Sequence, residues 1–136
     1  MAISGSCFCG LVTYEVTAPL ANARSCHCSR CRKAFGGPSS AYAEVKTGSF
    51  RWKTGQENLR RYHADVDWGL VFCDKCGSAL AGMLANDIHG ITLGTIDGDP
   101  GVEIAMHIHV ASKASWDHIG GDAPQFLEGR IDENAT

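Results

Sequence analysis

The feature that most constrains this chain is the placement of its cysteines. The 136-residue sequence contains seven, in three short groups: Cys7 and Cys9; Cys26, Cys28 and Cys31; and Cys73 and Cys76. An odd number does not fit a complete disulfide framework. Residues 1–6 show neither the basic nor the apolar region of a secretory signal, so we expect a cytoplasmic location, where disulfides are rare. The remaining common use of clustered cysteines is metal binding.

Composition limits the class of protein. Hydrophobic residues make up 44% of the chain and charged residues 20%, as in ordinary globular domains. We expect one domain over residues 1–129 and a C-terminal tail over 130–136, because two independent cores need more chain. No apolar run approaches the roughly 18 residues of a membrane helix, and a net charge of −3 argues against a nucleic-acid partner. No feature of the sequence specifies an oligomeric state.

Alternation of apolar and polar residues predicts a chain built mainly from short β-strands. Turns rich in glycine and proline separate the strand candidates, which are 11–16, 41–45, 50–52, 59–63, 68–73, 80–84, 91–96 and 103–110. Helical signal is confined to two short turns. The first is capped by Ser29 and runs to Phe35, and the second covers residues 112–118. We therefore predict an all-β fold with the cysteine groups in its connections.

The first and last cysteine groups end in the same way. Gly10 follows Cys9 directly, and Gly77 follows Cys76. Glycine accommodates a positive φ, which lets the chain turn and aim its amides at the sulfurs. A closed structural zinc site takes four ligands in a tetrahedron. The matched endings therefore predict that one structural zinc is shared by four thiols, those of Cys7, Cys9, Cys73 and Cys76.

The middle group offers three thiols, from Cys26, Cys28 and Cys31. Three protein ligands leave one position of a tetrahedral zinc for water or substrate, which is the pattern of a reactive site. Two other interpretations stay open: the thiols bind no metal, or a histidine closes the site as a structural one. The candidate histidines are His27, His63, His89, His107, His109 and His118. Because three thiolates make the ion electron-rich, binding of an incoming thiol fits this site better than hydroxide attack.

Basic residues flank the middle group, at Arg30, Arg32 and Lys33. They can hold the carboxylates of an anionic substrate, or they can be surface charges. Arg32 is favoured for substrate binding because arginine grips a carboxylate with two parallel hydrogen bonds. Further along, His107 and His109 lie two residues apart in a predicted strand, and we therefore expect them on one face.

The cysteine pattern, together with its surroundings, resembles the glutathione-dependent formaldehyde-activating enzyme family, also called the centromere protein V/GFA domain. The matching segments are 5–10, 26–36, 72–80, 94–97 and 107–116. The resemblance implies an Mss4-like zinc-binding β fold with two zinc ions per chain. It also implies that Cys7, Cys9, Cys73 and Cys76 hold the structural zinc, whereas Cys26, Cys28 and Cys31 hold the catalytic one.

The activity that the resemblance implies is the joining of glutathione and formaldehyde into S-(hydroxymethyl)glutathione. We therefore expect a zinc-dependent carbon–sulfur lyase that acts on a small thiol, glutathione, and a small aldehyde such as formaldehyde. The alternative is a non-catalytic, zinc-stabilised binding module with two structural metal sites. The fourth ligand of the middle group separates them: a protein side chain favours the module, and water or an external ligand favours the enzyme.

Overall fold

The computed structural model describes residues 2–65 and 67–129. These residues contain eleven strands: β1 (Ile3–Ser6), β2 (Thr13–Val16), β3 (Ala21–Cys26), β4 (Ser40–Glu44), β5 (Phe50–Thr54), β6 (Leu59–His63), β7 (Trp68–Cys73), β8 (Ala79–Leu84), β9 (Asp87–Thr92), β10 (Ile96–Asp97) and β11 (Met106–Ile108). They also contain the helix α1 (Ser29–Phe35) and short 3-10 helices at Gln56–Asn58, Leu93–Thr95 and Val110–Ser112. The predicted all-β class is confirmed.

The described residues form two compact units. The first contains residues 2–21, 42–65 and 67–102, and the second contains residues 22–41 and 103–129. The single domain expected over 1–129 stays a prediction, and the expected tail at 130–136 lies outside the described residues. Within the described ranges, no helix combines the length and the apolar character needed to cross a membrane.

Two sets of antiparallel strands build the first unit. In one, β1 lies between β10 and β2, and β2 also pairs with β5. In the other, β6, β7, β8 and β9 pair in sequence order, and β9 also pairs with Tyr42–Glu44 of β4. β7 ends at Cys73 and β8 begins at Ala79, so Cys76 lies in the tight connection between them.

The core of the first unit centres on β2. As the alternation predicts, Val12, Tyr14 and Val16 are at most 1% exposed. The ring centroid of Tyr14 lies 5.4 Å from that of Phe50. The Tyr14 hydroxyl lies 2.8 Å from Thr95 Oγ1, and burial raises the pKa of Tyr14 to about 12. The phenol therefore stays neutral in the core, with its polar end satisfied.

Gly5 makes room for this tyrosine. It pairs with Tyr14 across β1 and β2, and the Tyr14 ring occupies the place where a side chain of residue 5 would stand. We expect Gly5→Ala to lower the free energy of unfolding by about 1–3 kcal/mol, because an added methyl overpacks the core. Urea denaturation measures this. Gly94→Ala is the control, since Gly94 faces open space, and equal losses in both variants would contradict the explanation.

The second unit is organised by a parallel strand pair. β3 and β11 lie side by side, with Cys26 in register with Ile108, and the His27 amide donates to the Ile108 carbonyl at 3.0 Å. Both strands therefore end at the same edge, where α1 begins. Sequence alternation predicts neither β1 nor β3, and it predicts a longer β11 than the three residues observed.

Candidate metal centres

Four cysteines of the first unit come together at one place. Cys7 and Cys9 lie in the turn after β1, whereas Cys73 and Cys76 lie at the end of β7 and in the turn that follows. Their sulfur atoms all lie within 4.8 Å of one another. Cys7 and Cys73 are buried and Cys9 is exposed, and all of them are free thiols. The structure therefore brings together the four residues that the sequence predicts as one ligand set, here called the first cluster.

The sulfur spacing of the first cluster fits a tetrahedral ion. The Sγ atoms of Cys7 and Cys9 are 3.5 Å apart, and those of Cys9 and Cys73 are 3.9 Å apart. Four sulfurs at the zinc–sulfur distance of about 2.3 Å would form a tetrahedron with edges of about 3.8 Å. Thiolates are also the soft donors that suit zinc. The donor set therefore fits a zinc ion, and these two sulfur–sulfur distances are close to the edge of a zinc–sulfur tetrahedron.

The backbone around the first cluster is shaped as the glycine pattern predicts. Gly10 has φ 83° and Gly77 has φ 81°, in the left-handed region where a side chain is strained. The Gly10 amide donates to the Cys7 carbonyl at 3.0 Å, and the Gly77 amide donates to the Cys73 carbonyl at 2.8 Å. Each turn therefore folds back over its own cysteine pair.

Further amides point at the sulfurs of the first cluster. The Val12 amide donates to Cys7 Sγ at 3.3 Å, and the Lys75 amide donates to Cys73 Sγ at 3.4 Å. Hydrogen bonds from amides stabilise the charged thiolate form, which is the form that binds metal. These amides would therefore help to balance the negative charge that four thiolates place around a bound divalent ion.

Ser78, which is not among the predicted site residues, links the two turns of the first cluster. Its hydroxyl accepts a hydrogen bond from the Phe8 amide at 2.8 Å. The same oxygen lies 3.3 Å from Cys76 Sγ, so its hydrogen is free to point at that sulfur. Its position directly after the Cys76–Gly77 pair was a signal in the sequence, because a hydroxyl there can reach back to the turn.

Three cysteines of the second unit form a second cluster. Cys26 ends β3, Cys28 precedes α1, and Cys31 lies in its first turn. Their sulfurs all lie within 4.8 Å of one another, and in the part of the chain that the structure describes no fourth cysteine, histidine or carboxylate joins the group. Three thiolates suit zinc as the four of the first cluster do, with one tetrahedral position left for another ligand.

Cys28 also starts the helix that carries Cys31. The Cys28 side chain accepts a hydrogen bond from the Cys31 amide at 3.4 Å, so Cys28, and not the predicted Ser29, is the cap. Gly36 closes the helix in the left-handed conformation and donates to the Arg32 carbonyl. The predicted end of the helix at Phe35 is confirmed, and the helix begins at Ser29, one position earlier than a Ser29 cap implies.

A contact between Cys26 and Cys31 shifts the pKa values of these two thiols in opposite directions. The hydrogen bond from Cys31 lowers the pKa of Cys26 to about 6, against the opposing effect of burial, and the charge of His109 also lowers it. The same contact with Cys26 raises the pKa of Cys31 far above its usual range. In the absence of metal, Cys26 therefore loses its proton before Cys31 does.

His27, inside the middle cysteine group, does not turn toward the cysteines. Its Nε2 lies 3.0 Å from His107 Nδ1, and its Nδ1 lies 3.5 Å from Asp117 Oδ2 without hydrogen-bond geometry. Burial, followed by the charge of His107, lowers the pKa of His27. His27 is therefore a neutral, buried residue held between two partners, and it does not close the second cluster.

The prediction that His107 and His109 share one face of a strand is wrong. β11 ends at Ile108, and His109 has φ 56°, which is left-handed. The alternation of side chains therefore stops between the two histidines. His107 contacts His27, whereas His109 acts electrostatically on Cys26.

The three basic residues near the second cluster differ in their surroundings. Arg32 Nη2 donates to the Ser112 carbonyl at 3.3 Å, and Arg32 Nε is buried without a hydrogen-bond acceptor among the described residues. Arg30 and Lys33 are exposed on α1. Arg32 thus links the helix to the 3-10 segment Val110–Ser112, and the exposed pair lies three residues apart, where helical side chains are neighbours.

Comparison with known proteins agrees with the cysteine pattern. A family model described as "Glutathione-dependent formaldehyde-activating enzyme" matches residues 2–112. A protein of Halomonas elongata named "Putative glutathione-dependent formaldehyde-activating enzyme" is 36% identical over 87 residues, which are 59% of this chain and 55% of that protein. The match therefore spans little more than half of that relative's length.

A similar fold also occurs among solved structures. The crystal structure of a Rhodobacter sphaeroides protein is similar with a TM-score of 0.57 and 25% sequence identity. The similarity covers 90% of this chain and 98% of that chain. The fold is therefore shared over nearly the full length of both.

Proposed function

Because the chain belongs to the family of glutathione-dependent formaldehyde-activating enzymes, we propose that it is a zinc-dependent carbon–sulfur lyase that joins a thiol to a small aldehyde. Glutathione is the proposed thiol and formaldehyde the proposed aldehyde. The observation that carries this proposal is the second cluster, in which three thiols gather without a fourth protein ligand among the described residues. A site built only to stabilise the fold is normally closed by four ligands.

We propose that each cluster holds one zinc ion. The first cluster, with four ligands, is the structural site, made by Cys7, Cys9, Cys73 and Cys76. The second cluster is the catalytic site, made by Cys26, Cys28 and Cys31. When bound there, zinc supplies an open coordination position and keeps an incoming thiol in its thiolate form near neutral pH.

The basic residues of α1 are the proposed contacts of glutathione. Arg30 and Lys33 are exposed and carry positive charge beside a metal site that is negative overall. Two carboxylates of glutathione can each meet one of these cations. Arg32, held by Ser112, contributes charge from a fixed position. Binding of both reactants at one place would supply part of the rate.

The proposed addition of the thiol to the aldehyde needs no other reactant. The thiol loses its proton to solvent, and its sulfur forms a bond to the carbonyl carbon of the aldehyde. The electron pair of the carbon–oxygen π bond moves to the oxygen, which then takes up one proton. The product is an S-hydroxymethyl thioether, and the reverse reaction breaks the same carbon–sulfur bond.

An exchange measurement tests this function. We expect zinc-loaded protein to speed up the interconversion of ¹³C-formaldehyde, glutathione and S-(hydroxymethyl)glutathione above the spontaneous rate, as followed by exchange NMR. Cys28→Ser should reduce the acceleration at least about a hundredfold, because losing the metal position removes several kcal/mol of stabilisation. His118→Gln, at an exposed histidine, is the matched control. No acceleration by fully loaded protein would favour the non-catalytic binding module with two structural metals.

A further inference from the structure

His27 occupies the joint between the two elements that carry the second cluster. Cys26 is the last residue of β3, and Cys28 is the cap of α1, which also carries Cys31. His27 is bonded covalently to both Cys26 and Cys28. Its backbone angles therefore set where the thiols of Cys28 and Cys31 lie relative to the thiol of Cys26.

The ring of His27 is anchored on β11. The side chain is buried, with the residue only 3% exposed. Its Nε2 lies 3.0 Å from His107 Nδ1, which is hydrogen-bond distance, and the two ring centroids are 5.1 Å apart. The His27 amide also donates to the Ile108 carbonyl at 3.0 Å. Backbone and side chain of His27 are therefore both tied to the same strand.

The backbone of His107 is fixed on both of its sides. On one side it pairs with Ser25 of β3. On the other side its amide donates to the Pro124 carbonyl at 2.8 Å, and its carbonyl accepts from the Phe126 amide at 2.8 Å. His107 is therefore a firm point to which the ring of His27 is attached.

A carboxylate lies at the other nitrogen of the His27 ring. Asp117 Oδ2 is 3.5 Å from His27 Nδ1, and that nitrogen is buried without a hydrogen-bond partner among the described residues. The negative charge favours a hydrogen on Nδ1, and the tautomer of a neutral imidazole follows from such neighbours. Nε2 is then the acceptor, and His107 Nδ1 is the donor.

The anchor holds the chain from the side opposite the sulfur of Cys26. Neighbouring residues of a strand point to opposite faces, so Cys26 and Ser25 face apart. His107 is in register with Ser25 across the parallel pair and shares its face, where it meets the ring of His27. His27 is therefore placed to brace the joint, and not to coordinate an ion itself.

We propose that His27, through its contact with His107, is a positioning residue for the second cluster. This inference rests on the proposed function, of which the second zinc site is a part. With the joint between β3 and α1 fixed, the three thiols are already gathered, and less conformational freedom is lost when an ion binds. Without the contact the joint can move, and the ion is held more weakly.

NMR of bound ¹¹³Cd tests this site by site, because each bound cadmium ion gives its own signal. Protein loaded with cadmium at both clusters is titrated with EGTA, and the loss of each signal reports the affinity of one cluster. His27→Phe and His107→Phe keep a ring and remove the nitrogens. In both we expect the affinity of the second cluster to fall about tenfold to a hundredfold, as when groups that orient metal ligands are lost. The first cluster, in the other unit, should be unchanged.

Conservative variants separate positioning from packing. A glutamine amide reaches about as far as Nε2 and can accept, whereas an asparagine amide reaches about as far as Nδ1 and can donate. His27→Gln and His107→Asn should therefore recover most of the affinity and the wild-type ¹¹³Cd shift of the second cluster. In the double variant His27→Phe/His107→Phe the losses should not add, because both changes remove the same contact.

Ala23→Gly is the matched control. Ala23 is buried in β3, and glycine within a strand is destabilising. The melting temperature should therefore fall, while the ratio of the two cadmium affinities stays at its wild-type value.

The outcomes separate this inference from the proposed function. If both phenylalanine variants keep the wild-type affinity at the second cluster, the inference is wrong and the proposed function is unaffected. Equal losses at both clusters, or the same selective loss in Ala23→Gly, also contradict it. If wild-type protein holds both ions but accelerates no reaction, only the proposed function fails, whereas both fail if the second cluster binds no ion. If His27→Phe does not fold, His107→Phe and His107→Asn decide the question.

Discussion

Replacing Cys73 with serine is expected to unfold the protein at room temperature. Structural zinc sites in small modules contribute roughly 10 kcal/mol or more of folding free energy at neutral pH, and whole domains are stable by only about 5–15 kcal/mol. A serine cannot replace a thiolate in a site of four soft ligands. Circular dichroism and thermal denaturation measure the loss, and wild-type protein purified anaerobically should contain two zinc ions per chain and no disulfide.

Two matched variants identify the cause of that loss. Cys73 is fully buried, so serine there also places a hydroxyl in the core, whereas Cys9 is exposed. If the metal is responsible, Cys9→Ser should destabilise nearly as much as Cys73→Ser. Cys28→Ser, in the second cluster, should lower the melting temperature less, because that cluster has fewer ligands and spans only a short stretch of chain. Equal losses for Cys28→Ser and Cys73→Ser would contradict the division into structural and catalytic sites.

The second large effect concerns thiol binding. With cobalt in place of zinc, millimolar glutathione should intensify the charge-transfer bands that report coordinated sulfur. The reason is that three thiolates more than neutralise the divalent ion, so its bound water is a poor source of hydroxide, while the one position left suits a soft thiolate. The first cluster contributes a constant background, since its four thiols leave no position free.

The controls for this measurement use the same protein and ligand. Cys28→Ser should show no response to glutathione, because its second site is disrupted. S-methylglutathione, which has no free thiol, should leave the wild-type spectrum unchanged. A wild-type spectrum that does not respond to glutathione would exclude it as the thiol, and one that responds to no small thiol would favour the binding module.

The local alternation of apolar and polar residues, with the turn residues between, was sufficient to predict many of the strands. β6 and β7 occur at the predicted bounds, and burial alternates along β7 up to Cys73, where the turn begins. β1 and β3 were not predictable in this way. β1 reads Ile-Ser-Gly-Ser, and its Gly5 is required by the ring of Tyr14, a contact that exists only after the strands pair. β3 forms a parallel pair with a strand far along the chain, which local sequence does not encode.

The same distinction between local pattern and distant contacts applies to the candidate site. Spacing alone grouped the cysteines as the structure groups them, because short spacings and matched glycines restrict which thiols can meet. The surroundings of the second cluster were not predictable. His109 leaves the strand because its backbone is left-handed, and His27 turns to His107 because two distant segments meet. The first depends on contacts with residues 126–128, and the second on a contact across 80 residues of chain.

The different spans of the two clusters have a consequence for the order of assembly. In the first cluster, Cys9 and Cys73 are separated by 64 residues, whereas Cys28 and Cys31 are separated by only three. Each doubling of a closed loop costs about 0.6 kcal/mol, so closing the longer loop in an unfolded chain costs roughly 2.5 kcal/mol more. During synthesis the short motif also leaves the ribosome first. If the two proposed zinc ions bind, a nascent chain can therefore fill the proposed catalytic site while still unstructured, whereas the proposed structural site is complete only when the β7–β8 hairpin has formed. Limiting metal during synthesis should then trap chains that carry one ion and lack the tertiary fold.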